Sequence, residues 1–443
     1  MSIFAQRAVR QLLQIAKFTA KGMTSPPATQ RILLVSFRWC PQGGVGTRRW
    51  SKFAKYLSRR GVATDIVCAD YPYRDRVNWC KDVEGNPLIQ SYPTPSGYPA
   101  WLRRPRRDMA MKLASRLLSR TTHRIDIAQG WGKHMQKAVR RRLADQVYDA
   151  VILTVPSFST LSHFAALARE YPEQRFIVDY RDPWTYFLDD YGRMDTARNR
   201  RVTQLEQYSL NSLDQIWVTT VEHAQHYLRR FRGLQNKIFV LHNGFDPEDF
   251  SRYSRKSGPK DNMRAVFPGT LIRERRDTLF TLLKALISVS DPLLNKNFRI
   301  IIYTDESIRP STIPPIIRDA FNQFVKVKNT VSPEEMTGVM ADARFGLVLH
   351  DSNYELTVPV KIYDFLAAKC DIIYLGPPTQ VSQQLKMAGH HCEQDQLESI
   401  KLLLLEIANM QSPSGGQNDF NKFRISELTD QLLLFLTRST EDT

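Results

Sequence analysis

Short apolar blocks alternate with amphipathic stretches from about residue 31 onward. Residues 31–37 (RILLVSF) form a β-branched apolar run that reads as a buried strand. The loop PQGGVGT follows, and then Trp50, Phe53, Ala54 and Leu57 recur at helical spacing before Gly61 closes the helix. Residues 64–68 (TDIVC) are the next strand, so the segment is a strand, glycine loop, helix, strand unit. Residues 150–155, 176–180, 216–219 and 238–241 repeat the strand pattern, with helical stretches between most of them. Such alternation predicts a parallel sheet with helices on both faces. Residues 251–262 (SRYSRKSGPKDN) are polar and nearly free of apolar side chains, which predicts a linker. A second alternating series follows. Its strands are 265–269, 298–303, 325–328, 345–349 and 371–375; its helices are 278–287, 334–341 and 360–368. Residues 411–417 (QSPSGGQ) are a loop, and 427–436 are a final helix.

The organisation expected from this pattern has five parts. Residues 1–30 are a basic amphipathic arm, in which Ala5, Val9, Leu12, Leu13 and Ala16 share a helical face among Arg7, Arg10 and Lys17. Packing of that helix on the body is an equal alternative, and a cleaved transit segment a third. Residues 31–250 are a first α/β domain, 251–262 the linker, 263–415 a second α/β domain, and 416–443 a C-terminal helix.

Composition changes this picture little, and charge changes it more. With 443 residues, 42% of them hydrophobic, the chain can build large cores, which excludes a disordered tail or a disulfide-framed mini-domain. Five scattered cysteines form no C-x-x-C pair and no zinc spacing, so free thiols in a reducing compartment are expected. No apolar run is long enough to span a membrane. The net charge of +17 is one-sided: residues 251–443 hold 23 basic and 23 acidic residues, so the whole excess lies in the first 250. Between residues 101 and 142 there are 13 basic residues against two acids. That half is built to face negative charge, whether nucleic acid, anionic lipid or a phosphorylated substrate.

Taken singly, the motifs leave alternatives open. Glycines at 43, 44 and 46 between a strand and a helix allow backbone amides to approach a phosphate, and also suit a plain tight turn. Arg48 and Arg49, in the first helical turn, suit an anionic ligand. The loop fits neither the dinucleotide fingerprint nor the P-loop. Asp179-Tyr180-Arg181-Asp182-Pro183-Trp184 starts at a strand's carboxyl end, where ligands gather in open α/β sheets; an Arg–Asp pair fixing the turn is the other reading. His242-Asn243-Gly244-Phe245-Asp246 reads as a turn, with Asp246-Pro247 capping a short helix. Lys361 and Asp364 lie one turn apart on one helix face, able to grip a diphosphate and a ribose diol or simply to pair with each other.

Their order is more specific than any one of them. PQGGVGTRRW, VDYRDPW, KIFVLHNGFDPEDF, FPGTL and VPVKIYDFLAAKCDIIYLG together resemble the glycosyltransferase family four group of retaining, GT-B-fold sugar transferases, over about residues 31–375. The resemblance implies two Rossmann-like domains facing across a cleft, with the last helix crossing back to the first domain. It implies a nucleotide-diphosphate sugar bound by the second domain, an acceptor on the first, and no cofactor beyond that substrate. By position, Gly43 and Gly44 would border the donor phosphates, and Asp364 would replace the family's ribose-binding carboxylate. Val331 would lie beside the base. Arg275 or Arg276 would neutralise phosphate, and Arg181 or Asp182 would stand where many members place an active-site histidine. In the family's E-x7-E element, Leu356 holds the first position and Glu355 is one residue out of register; Thr270 replaces the usual phosphate-binding Arg.

The sequence contains no D-x-D triplet, so metal-independent transfer is expected. The basic first half points to an anionic membrane or a lipid-linked acceptor and to cell-surface polysaccharide synthesis, at a cytoplasmic or inner-face peripheral location. The competing classes are a nucleotide-sugar epimerase on the same fold and a basic nucleic-acid-binding protein, although no nucleic-acid motif is present.

Overall fold

In the computed structural model the described residues are 30–42, 44–70, 80–97, 128, 130–185, 197–251, 253, 263–271, 273–289, 297–305, 308, 310–351, 354–409 and 420–437. The expected arm, Gly43, the basic stretch 101–127, most of the linker and the loop 411–417 lie outside them.

The first sheet has seven parallel strands in the order β3-β2-β1-β4-β5-β6-β7. They are β1 (Arg31–Ser36), β2 (Ala63–Asp70), β3 (Ile89–Pro95), β4 (Ala150–Val155), β5 (Phe176–Tyr180), β6 (Gln215–Val218) and β7 (Ile238–Val240). Alternation along β1 explains the two layers that cover it. Leu33 and Val35 face a core built with α2 (Gly132–Asp145), α3 (Leu161–Glu170), α4 (Ala197–Asn211) and α5 (Val221–Arg230). Ile32 and Leu34 face the opposite core, where α1 (Val45–Ser58) contributes Trp50, Phe53 and Leu57.

The second sheet has six parallel strands in the order β10-β9-β8-β11-β12-β13. They are β8 (Arg264–Pro268), β9 (Arg299–Tyr303), β10 (Val325–Lys328), β11 (Phe345–Leu349), β12 (Asp371–Leu375) and β13 (His391–Glu393). One face packs α6 (Arg273–Ser288), α7 (Arg318–Phe324) and α11 (Leu397–Ala408). The other packs α8 (Pro333–Asp342), α9 (Lys361–Ala367) and α10 (Gln380–Met387). The last helix, α12 (Ile425–Thr437), leaves this domain and buries Ile425, Leu428, Leu432 and Phe435 in the first domain's core beside Trp217 and Phe239. Two Rossmann-like sheets with a returning C-terminal helix are the GT-B arrangement.

Three features depart from the sequence expectations. β3 carries Pro93 and Pro95, which its edge position tolerates because the outer side needs no amide donor. β13 is only three residues long and falls below any periodicity. Cys40 and Cys80 form a disulfide with Cα atoms 5.5 Å apart, which corrects the expectation of free thiols throughout. Cys68, Cys370 and Cys392 are buried and form no disulfide among the described residues.

Candidate functional site

The carboxyl ends of both sheets meet along one seam. Gly44, at the end of the loop after β1, takes φ 106°, a left-handed backbone that suits glycine, and α1 starts there without a side-chain cap. Gly46 is needed for space: a Cβ there would collide with the Arg181 guanidinium. Arg181 follows β5, and its Nε donates to the Val155 carbonyl (2.9 Å) at the end of β4. Burial lowers its pKa and Arg49 and Arg38 add to the effect, while Asp182 and Asp179 oppose it. Burial raises the pKa of Asp182, with Arg181 pulling the other way.

A buried polar network backs this turn. Glu206 of α4 accepts from Tyr180 Oη (3.1 Å), Tyr227 Oη (2.6 Å) and Thr185 Oγ1 (2.6 Å), and the Trp184 amide donates to Tyr227 Oη (3.3 Å). The Asp-Pro-Trp-Thr turn is therefore fixed from behind by one carboxylate.

Across the seam, Gly269 after β8 has φ 150°, and a Cβ on it would strike Lys361 Nζ. Burial lowers the Lys361 pKa to about 8, with Arg275 adding and Asp364 opposing. Arg275 Nη1 donates to the Thr270 carbonyl (3.1 Å). His350, at the end of β11, is pushed down to about 4 by burial, with Arg275 contributing. Lys361 and Arg275 thus form one electropositive pair at the second sheet's edge, with Gly269 and the neutral His350 beside them. Arg276 is half-buried on the same helix, and no hydrogen bond or ion pair among the described residues joins it to them. Val331 packs, partly buried, with the core that holds Val266 and Ile362.

Two candidates lie at the surface. The Thr270 residue is exposed, with its carbonyl engaged as above, and Glu355 is exposed as well. Leu356 is buried instead, and its carbonyl accepts from Thr220 Oγ1 (2.6 Å) of the first domain.

Arg48 and Arg49 are also corrected, because carboxylates already hold both. Arg49 forks onto Asp179 (3.0 and 3.2 Å) and donates to the carbonyls of Leu241 and His242 and to Asn243 Oδ1. Arg48 crosses the seam to Asp364, with Nη1 to Oδ2 at 2.9 Å and Nη2 to Oδ1 at 2.6 Å. Sequence reading missed this because the partners lie 130 and 316 residues away. An aspartate inside the apolar strand FIVDY was the available signal, since a buried carboxylate demands a cation.

Beneath Arg48, two lysines of α1 meet the acids of the domain crossing. Lys52 lies 2.7 Å from Asp82, 3.0 Å from Asp246 and 2.5 Å from Asp249; Lys55 lies 2.6 Å from Asp246. Asp246 also caps the short 3-10 turn Pro247–Phe250, as the sequence predicts. Its carboxyl sits well below the usual range: burial raises it, and the two lysines and Tyr56 overcome that. The carboxylates of Asp82, Asp246 and Asp249 converge closely enough to hold an ion, but the lysine ammonium groups already occupy the space between them. A cavity of about 20 Å³, room for about one water, lies here between Arg48, Lys52, Asn243, Gly244, Val360 and Ile425. It is too small for a sugar nucleotide.

Residues 43–244 match the family model described as a glycosyl transferase 4-like domain. No curated protein matches this chain in sequence. Its fold recurs in solved structures. Sucrose-phosphate synthase from Thermosynechococcus elongatus is 13% identical, with TM-score 0.62 over 92% of this chain and 98% of that one. The N-terminal domain of Candida albicans trehalose-6-phosphate phosphatase is 12% identical, with TM-score 0.63 over 94% and 98%. The E. coli trehalose-6-phosphate protein bound with UDP-2-fluoro glucose is 12% identical, with TM-score 0.59 over 92% and 99%. At such identities the likeness shows the GT-B fold and nothing further.

Proposed function

We propose that this glycosyltransferase moves a sugar, with retention, from a nucleotide-diphosphate sugar to a lipid-linked or polysaccharide acceptor, without a metal ion. The observation that carries the donor half is the Lys361 ammonium against Gly269, with Arg275 beside it and Asp364 one turn further along α9. A departing nucleoside diphosphate gathers negative charge, and two cations fixed in a dry seam stabilise it without reorganising. Asp364 supplies the carboxylate for a ribose diol. Arg181 and Asp182 face the seam from the first domain, where the acceptor would enter. A structure bound to UDP-2-fluoro glucose on the same fold supports a nucleotide-sugar donor.

The test is a thermal-shift screen of the full chain with UDP, GDP, UDP-glucose and GDP-mannose. One nucleotide family raises the melting temperature, because a ligand at 100 times its Kd adds about 2.7 kcal/mol to the folded state. Lys361→Ala and Asp364→Ala abolish the shift without lowering the ligand-free melting temperature by more than a few degrees. Affinity also falls as pH rises through about 8, where Lys361 loses its proton. A pH-independent shift retained by both variants would remove this donor site.

The acceptor half rests on charge. All of the +17 lies in residues 1–250, and Lys133, Lys137 and Arg141 on α2 are exposed. No helix among the described residues is long and apolar enough to cross a membrane. The protein is expected to sediment with vesicles of phosphatidylglycerol and phosphatidylcholine at low salt and to release at high salt. Equal partition onto phosphatidylcholine alone would count against a membrane acceptor.

A further inference from the structure

We propose that Arg48 is a latch: it occupies the ribose-binding carboxylate of Asp364 in the ligand-free protein and must swing away before a donor nucleotide can seat. The inference rests on the donor site proposed above and concerns its regulation.

The Arg48 fork uses both oxygens of Asp364, and the two side chains are 14% and 12% exposed. A vicinal diol would approach the same carboxylate with the same pair of donors. Ribose and guanidinium therefore compete for one acceptor. The contact also joins α1 of the first domain to α9 of the second, so breaking it loosens the seam where the nucleotide must enter.

The released arginine has a place to go. Asp249 Oδ2 is buried, has no hydrogen-bond partner, and lies 3.5 Å from Arg48 Nη2. That oxygen is too far and too poorly aligned for a full hydrogen bond in the latched state. A modest rotation of the guanidinium would satisfy it. Arg48 thus stands between two carboxylates, one forked in two hydrogen bonds and one held only as a 3.5 Å ion pair, which makes it a two-position element. Burial disfavours its charged form, and the paired acids outweigh that, so the guanidinium stays protonated in either position.

Nucleotide affinity is reduced by the fraction of molecules in which the latch is open. Arg48→Gln removes the competitor, and Asp249→Asn weakens the parking position. The two substitutions should therefore move affinity in opposite directions. Isothermal titration of UDP and of GDP into the full-length wild type, Arg48→Gln, Asp249→Asn and Asp364→Ala reads this out. The expected result is binding about fivefold or more tighter for Arg48→Gln, weaker for Asp249→Asn and lost for Asp364→Ala. Arg48→Lys, which keeps the charge but not the fork, should fall between wild type and Arg48→Gln and serves if the latter does not fold. Equal or weaker binding by Arg48→Gln, with Asp364→Ala still inactive, overturns the latch alone. Wild-type binding by Asp364→Ala, or no binding of either nucleotide by any protein, overturns the donor site and the latch with it.

Discussion

Arg49→Ala lowers the stability of the protein by about 3–5 kcal/mol, the cost of leaving a buried carboxylate without its cation. Asp179 is fully buried, and without Arg49 it retains, among the described residues, Trp50 Nε1 (2.8 Å) and Thr154 Oγ1 (3.2 Å) as side-chain donors. The same substitution strips the donor from the Leu241 and His242 carbonyls, where the chain leaves the first sheet for the second domain. A urea titration followed by circular dichroism gives the midpoint shift. Arg49→Lys recovers only part of it, because an ammonium cannot span two carboxylate oxygens and three further acceptors. A loss below about 1 kcal/mol for Arg49→Ala would mean that the pair is screened like a surface salt bridge. The fork would then not be what holds α1 against β5.

Acidification from pH 6.5 to about 4 destabilises the protein steeply. Burial pushes His223 down to about 3 and His350 and His390 down to about 4. Unfolded, each titrates near 6.5; folded, each stays neutral. Below 6.5 the unfolded chain therefore binds protons that the folded chain refuses, and stability falls as pH falls. Each histidine contributes about 1.4 kcal/mol per pH unit across its window. Asp246 acts later and in the opposite chemical sense. Its native pKa is depressed, so its stabilising charge is lost only below the ordinary carboxylate range. Urea midpoints measured at half-unit steps should show the histidine slope first. His223→Phe should flatten part of that slope while keeping the ring contacts with Tyr180 and Tyr227, since neither ring nitrogen of His223 has a hydrogen-bond partner. An unchanged slope in that variant would assign the acid sensitivity to other groups.

Most of the fold was legible because buried parallel strands are written as apolar blocks. RILLVS, AVILTV, FIVDY, FGLVL and DIIYL are all strands, and each is wholly or almost wholly buried. IQSYPTP was not legible, since its half-exposed edge position removes the apolar signal. The site was legible in part for a similar reason. Gly44, Gly269 and Lys361 mark themselves by backbone geometry or by spacing near turns. What fills the space between them depends on side chains meeting across hundreds of residues. The Arg48–Asp364 contact, the lysines over Asp246 and the Cys40–Cys80 bond leave no local pattern. Sequence assigned Arg48 and Arg49 a negative partner and mistook its source, because a carboxylate from a distant helix or strand and a phosphate from solution make the same demand on an arginine.

The return of α12 also constrains how the molecule is made. Phe245 and Arg424 pair at the crossing, and the helix beyond them completes the layer over Trp50, Trp217 and Phe239. On a translating ribosome the N-terminal half therefore emerges long before its own lid exists, and its apolar floor stays uncovered until α12 (Ile425–Thr437) has been made.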